Sequence, residues 1–121
     1  DLPVTALPLS KNDGVYCADW QALIAMLADN KLSVTERAAR FHLSIAHSLL
    51  EQALQLRDDT GVKHVGLAGG VFQNRVLTDK ASALLRARGF RVTLPRQVPV
   101  NDGGISFGQI IEFAYPGIIS T

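Results

Sequence analysis

The sequence predicts an α/β fold in which a parallel βαβ unit follows an N-terminal extended hairpin. Three observations predict it. A turn-forming Lys11-Asn12-Asp13-Gly14 lies between two extended runs. A long amphipathic segment opens at Ser33-Val34-Thr35-Glu36. A strand, a helix and a strand follow one another between His64 and Leu94. With 121 residues and a hydrophobic fraction of 47%, the chain is sized for one domain and a modest core.

Residues 2 to 18 read as extended, with Val4, Ala6 and Leu7 before the turn and Val15, Tyr16 and Cys17 after it. Asn, Asp and Gly tolerate the positive φ of a tight hairpin turn, and Pro3 and Pro8 keep the first strand at an edge. Asp19 is placed to cap a short helix with Trp20, Leu23, Ile24 and Leu27 on one face. Ser33 and Glu36 have capping-box spacing and begin a helix expected to reach Asp58. Ala38, Phe41, Ile45, Leu49, Ala53 and Leu56 form its apolar stripe, widened by Leu43, Leu50 and Leu54, as in a helix packed on a sheet.

The second half changes rhythm. His64-Val65-Gly66-Leu67-Ala68 is nearly uncharged and suits a strand buried on both faces. The next helix, residues 74 to 88, turns Leu77, Ala81, Leu84 and Leu85 to one side and stops at Gly89. Phe90, Val92 and Leu94 alternate with Arg91 and Thr93 in a half-exposed strand that Pro95 ends. A last helix is expected from about Gly103 to Ala114.

Composition excludes several functions. Twelve basic residues against eleven acidic ones give a net charge of +1, without the clustered basic face that nucleic acid requires. Glu112 and Pro116 interrupt the last long apolar stretch, so no membrane span and no membrane partner are expected. No signal peptide is expected. Cys17 is the single cysteine and has no disulfide partner in the chain, which suits a reducing cytosol. Lacking a basic neighbour to activate it, Cys17 is expected to pack. The chain opens at Asp1 and has its one methionine at Met26, as expected of a fragment of something longer.

In a βαβ unit of about 30 residues the strands run parallel with a right-handed crossover. The loop Gly69-Gly70-Val71-Phe72-Gln73-Asn74 and the loop from Pro95 to Gly104 then leave the same edge of the sheet, where open α/β sheets bind ligands. Each runs into a helix N-terminus with free amides. On pattern alone, a Gly-Gly after a strand is more often a tight turn than a cradle. Asn101-Asp102-Gly103-Gly104, facing the same crevice, shifts that balance. Asp102 by itself reads as a helix N-cap, since one carboxylate is not a metal site. Gly104 and Gly108, one turn apart, suit close helix packing. His42 and His47 stand about 140° apart around their helix and cannot share a metal. His42 reads as a hydrogen-bonded core histidine. No pairing of nucleophile and base is evident, so the catalytic residue is unknown.

These segments carry a family resemblance. Ala68-Gly69-Gly70-Val71-Phe72-Gln73-Asn74 resembles the SGGVFQN signature of HypF carbamoyltransferases, with alanine where serine is usual. VPVNDGGISFGQ, from Val98 to Gln109, is similar to that family's VPPNDGGISLGQ segment. Ala38-Ala39-Arg40-Phe41-His42 resembles its Ala-x-x-Phe-His stretch, and the Pro-Leu and Asp-Trp-Gln regions also fit. Nearly the whole chain is covered, in one order and spacing.

The resemblance implies that residues 1–121 are the C-terminal lobe of a TsaD-like domain in the actin-like and sugar-kinase superfamily, a ribonuclease-H-like fold. It implies transfer of a carbamoyl group from carbamoyl adenylate, made from carbamoyl phosphate and ATP, to the C-terminal cysteine of HypE. That reaction belongs to the maturation of nickel–iron hydrogenases in the cytoplasm. Gly69, Gly70, Gln73, Asn74, Gly103 and Gly104 would then contact the nucleotide. Asp102 would be one ligand of an iron or zinc ion, the others being histidines of an N-terminal lobe absent from this chain. The acylphosphatase-like, zinc-finger and YrdC-like regions of such proteins are absent as well. A sister family, the threonylcarbamoyl transferases of tRNA modification, has loops closer to GGVAAN and DNGAM. Phe72-Gln73 and Asn101-Asp102-Gly103-Gly104 favour HypF over it. A half-domain that binds nucleotide or a partner without turnover is the alternative of a different class.

Overall fold

The structure, a computed structural model, describes residues 2–115; Pro116, expected to break the last apolar stretch, lies outside them. Strands β1 (Leu9–Asn12) and β2 (Val15–Ala18) pair antiparallel, with Leu9 opposite Ala18 and Asn12 opposite Val15. Asp13 and Gly14, at φ of 49° and 82°, make the turn between them. The first strand therefore starts later than the alternation of Val4, Ala6 and Leu7 suggested. Pro3 and Pro8 lack the N–H groups of a ladder. Residues 2–8 instead run along the long helix, where the Thr5 N–H donates to Ser44 Oγ at 2.9 Å and Leu7 is buried. Cys17 is exposed rather than packed, because strand alternation turns Tyr16 and Ala18 inward instead.

Helix α1 (Gln21–Ala28) buries Leu23 and Met26 against Leu7. Trp20 and Ile24, expected on the inner face, are each 66% exposed. Leu23 and Met26 lie one turn apart, and seating that pair turns the predicted stripe partly outward. Asp19 accepts from the Gln21 N–H at 2.9 Å, while the cap position itself falls to Trp20, without a side-chain bond.

Helix α2 (Val34–Thr60) has the predicted capping box: Ser33 Oγ accepts from the Glu36 N–H, and the Glu36 carboxylate accepts from the Ser33 N–H at 2.9 Å. It ends at Gly61, in the left-handed region at φ 75°. Its deepest residues fall on two faces, Ser44 and Ser48 on one and Ala46, Leu50 and Ala53 on the other; Leu50 and Ala53 belong to the predicted apolar surface, whereas Ala38 and Leu56 are exposed. Two neighbours divide the helix surface. Phe41 and Ile45 pack toward Leu7, Leu23 and Met26, while Ala46, Leu50 and Ala53 pack with Leu67, Leu77, Ala81, Leu85 and Phe90. Small side chains let two helices approach closely, and Ala46, Ala53 and Ala81 supply them where α2 and α3 meet.

Strands β3 (His64–Gly66) and β4 (Arg91–Thr93) are parallel neighbours, Val65 opposite Val92, with α3 (Arg75–Ala87) crossing between them as predicted. β3 is shorter than expected and open on one side: His64 and Gly66 are exposed, and full burial begins at Leu67. α3 buries Leu77, Ala81, Ser82 and Leu85, and Gly89 follows at φ 81°. The Arg57 guanidinium lies 4.6 Å from the Phe90 ring and donates to the Arg88 carbonyl at 2.7 Å, tying the end of α2 to the α3–β4 turn. Helix α4 (Ile105–Ala114) is preceded by a 3-10 turn, Asp102–Gly104, and buries no residue. Phe113 is 90% exposed.

Candidate nucleotide site

The glycine loop leaves β3 by a conformation that only glycine adopts without strain. Gly69 sits at φ 109°, ψ 158°. A 3-10 turn, Gly70–Gln73, follows, closed by the Phe72 N–H donating to the Gly69 carbonyl at 3.0 Å. The amides of Gly70 and Val71 have no partner among the described residues, as at any helix start. Asn74 then caps α3, its Oδ1 accepting from the Leu77 N–H at 3.1 Å. Thr78 Oγ1 lies 2.9 Å from both the Phe72 and the Asn74 carbonyls, and Phe72 packs against the core.

The second loop meets the first directly. The Gly69 N–H donates to the Val100 carbonyl at 2.6 Å, and a crevice of about 350 Å³ opens beside this bond. Gly69, Pro99, Val100, Asn101, Asp102 and Gly104 line it. Gly70, Gln73 and Asn74 belong to the adjoining turn and, like Gly103, are exposed outside that wall.

The cap of the second loop is Asn101, whose Oδ1 accepts from the Gly103 N–H at 3.0 Å. Asp102, expected to cap, stands one residue inside the turn with its carboxylate exposed. Two adjacent Asx residues compete for that role, and the one further from the helix has the reach. Gly104 is required by packing: a Cβ there would lie 2.7 Å from the Pro99 carbonyl oxygen. Gly108, expected to share a packed strip with it, faces open space. Gly70 differs from Gly69 and Gly104, having neither a positive φ nor any atom within 4 Å of an added Cβ. Nothing among the described residues demands a glycine there. Gly70 leaves room in front of the free amides.

Among the described residues, no three His, Cys, Asp or Glu side chains come together as a metal site. Asp102 alone does not satisfy a transition metal, and no chemical step below passes through one. His42 is the residue that sequence patterns undervalued. It is half-buried rather than in the core, and its ring stands beside Asn74 at the mouth of the glycine loop. Its place in the Ala-x-x-Phe-His stretch was the available signal.

Two glycine loops, hydrogen-bonded to each other at the C-terminal edge of a parallel βαβ unit, place the chain in the α/β class. The chain belongs to the family described as carbamoyltransferase, Kae1-like domain, second subdomain, whose model matches residues 3–109. It is 33% identical over 106 residues to the carbamoyltransferase HypF of Synechocystis sp., covering 87% of this chain and 13% of that one. It thus spans about an eighth of that relative's length. A crystal structure of full-length HypF in the phosphate- and nucleotide-bound form superposes with a TM-score of 0.83 at 30% identity, over 90% of this chain and 18% of that one. The tRNA N6-adenosine threonylcarbamoyltransferase of Aromatoleum aromaticum is 34% identical over 83 residues, 67% of this chain and 24% of its own. The shared fold is ribonuclease-H-like, and the relatives are named carbamoyltransferases, which places the chain in a transferase family. No helix among the described residues is long and apolar enough to cross a membrane.

Proposed function

We propose that this chain supplies the nucleotide-facing half of a HypF-type transferase site, working in the cytoplasm with HypE as acceptor. Carbamoyl adenylate, formed from carbamoyl phosphate and ATP in a YrdC-like domain, is the donor. Transfer forms a C–S bond at the C-terminal cysteine of HypE and breaks the C–O bond to AMP. The observation that carries this reading is the joined pair of glycine loops, with Gly70 leaving open space before two free amides. Such amides attract phosphate oxygens. The similar HypF structure was solved with phosphate and nucleotide. Gly69, Gly70, Gln73, Asn74, Gly103 and Gly104 contact the nucleotide or shape its cradle. Asp102 donates one ligand to an iron or zinc ion whose other ligands come from the N-terminal lobe.

A nucleotide in an actin-like fold lies between two lobes, and one lobe makes part of the contacts while immobilisation costs nearly as much. The isolated chain is therefore expected to bind ATP weakly and to transfer nothing to a HypE tail peptide. Joining it to the missing lobe and the YrdC-like domain restores transfer, and Asp102→Ala there abolishes it. Titration calorimetry with ATP, followed by a transfer assay, tests this. Tight binding with turnover by the 121 residues alone would overturn it. The threonylcarbamoyl reading, favoured by the matches to tRNA-modifying enzymes, requires transfer to tRNA adenosine instead. Nucleotide binding without transfer in the assembled protein would leave a non-catalytic half-domain.

A further inference from the structure

We propose that His42 is a positioning residue for the glycine loop, holding Asn74 through a lone pair on Nε2. Each hydrogen-bond role in this chain of contacts follows from the one before. His42 Nδ1 lies 2.7 Å from the Ala38 carbonyl oxygen, one turn back on α2. A carbonyl oxygen can only accept, so Nδ1 carries the ring proton and Nε2 is left as an acceptor. Asn74 Nδ2 lies 2.8 Å from Nε2 and donates to it. The other amide atom of Asn74, Oδ1, accepts from the Leu77 N–H at 3.1 Å and caps α3.

Turning the Asn74 amide over would break both of its bonds. Oδ1 would then face a lone pair, and the NH2 group would face an N–H. The histidine thus selects the amide orientation that caps the helix. The Phe41 ring meets the imidazole edge-on, with centroids 5.7 Å apart, and limits its rotation. The bond spans 32 positions of sequence and joins the middle of α2 to the residue that ends the Gly70–Gln73 turn. A group that orients a binding residue from behind sets how well the site is preorganised. The role rests on the proposed nucleotide function, because it assigns His42 to the loop that faces the ligand.

The ring itself gives the first test. Long-range 1H–15N spectra of the histidine-labelled chain at neutral pH should show His42 protonated at Nδ1, the minor tautomer of free histidine. A ring protonated at Nε2 overturns the proposal. Asn74→Asp keeps the cap but replaces the donor with a carboxylate, which can only accept, so the same spectra should then show the proton moved to Nε2. An unchanged tautomer in that variant would equally overturn it.

In the intact transferase, His42→Phe removes the acceptor. It should raise the KM for carbamoyl adenylate about tenfold, an effect falling more on KM than on kcat. His42→Gln, whose Oε1 can accept from Asn74, should recover most of the loss. Equal deficits in Phe and Gln variants that melt like the parent would refute positioning. If the intact enzyme does not use carbamoyl adenylate while the tautomer is as stated, the proposed function fails and the His42–Asn74 contact stands.

Discussion

The two glycine loops face one crevice but are anchored differently. The first is built onto the core: Phe72 packs inward, Asn74 caps a helix with Leu77, Ala81 and Leu85 buried, and Thr78 ties the turn from below. The second leads into α4, which buries nothing, and rests on Pro99, the Asn101 cap and one bond from Gly69. Packing in a core holds backbone to a fraction of an ångström, whereas a single exposed hydrogen bond contributes only about 1 kcal/mol. One arm of the crevice is fixed by the chain itself. The other takes its position largely from that arm.

Removing packing from each arm in turn should separate the two most. Leu85→Ala hollows the core beneath the first loop and should cost about 2–5 kcal/mol. Ile110→Ala, on the exposed α4, should change stability by less than about 0.5 kcal/mol. Denaturant melts decide it, and comparable losses at the two sites would show that the second arm has a core of its own.

A smaller effect separates glycines within the first arm. Gly69→Ala forces a Cβ into a glycine-only conformation, for about 1–3 kcal/mol of destabilisation. Gly70→Ala meets open space and should melt within about 0.5 kcal/mol of the parent. If the second substitution destabilises as much as the first, Gly70 has a structural role and its link to the ligand dissolves.

The smallest effect is electrostatic. Hydrogen bonds from the Ser33 hydroxyl and then the Ser33 amide hold the Glu36 carboxyl below its ordinary 4.5. A depressed acid stabilises the fold above its unfolded pKa, and that contribution disappears as pH falls through the lower folded value. The capping box at the start of α2, on which the first loop is seated, therefore stays closed at pH 5 and opens only in stronger acid. The Asn101 cap of the second loop does not titrate. Carboxyl carbon shifts followed by NMR should place the Glu36 midpoint below 4.5; a midpoint at or above that value removes the distinction.

What the sequence disclosed, and what it hid, divides along the same line. The parallel pairing of Val65 with Val92 and the capping box were legible because strand–helix–strand spacing and Ser-x-x-Glu are local rules. The convergence of the loops followed from parallel strands. The apolar surface of α2 was legible through Leu50 and Ala53, but Ala46, Ser44 and Ser48 were missed, since small side chains are inconspicuous until a packed neighbour requires them. Trp20 and Ile24 misled in the opposite sense: strongly apolar, they still face outward. Asn101 and His42 were undervalued because their roles depend on partners that a motif does not name.

The exposure of Cys17 has a practical consequence. It is the chain's one thiol, and it sits on the hairpin that Lys11 and Tyr16 tether to Asp59 at the far end of α2. A maleimide dye would attach there and nowhere else, without any substitution. Its fluorescence anisotropy would follow the hairpin alone, rising when the ribbon lies against α2 and falling when it swings free. The protein thus carries its own labelling handle, in β2, on an element separate from both loops of the crevice.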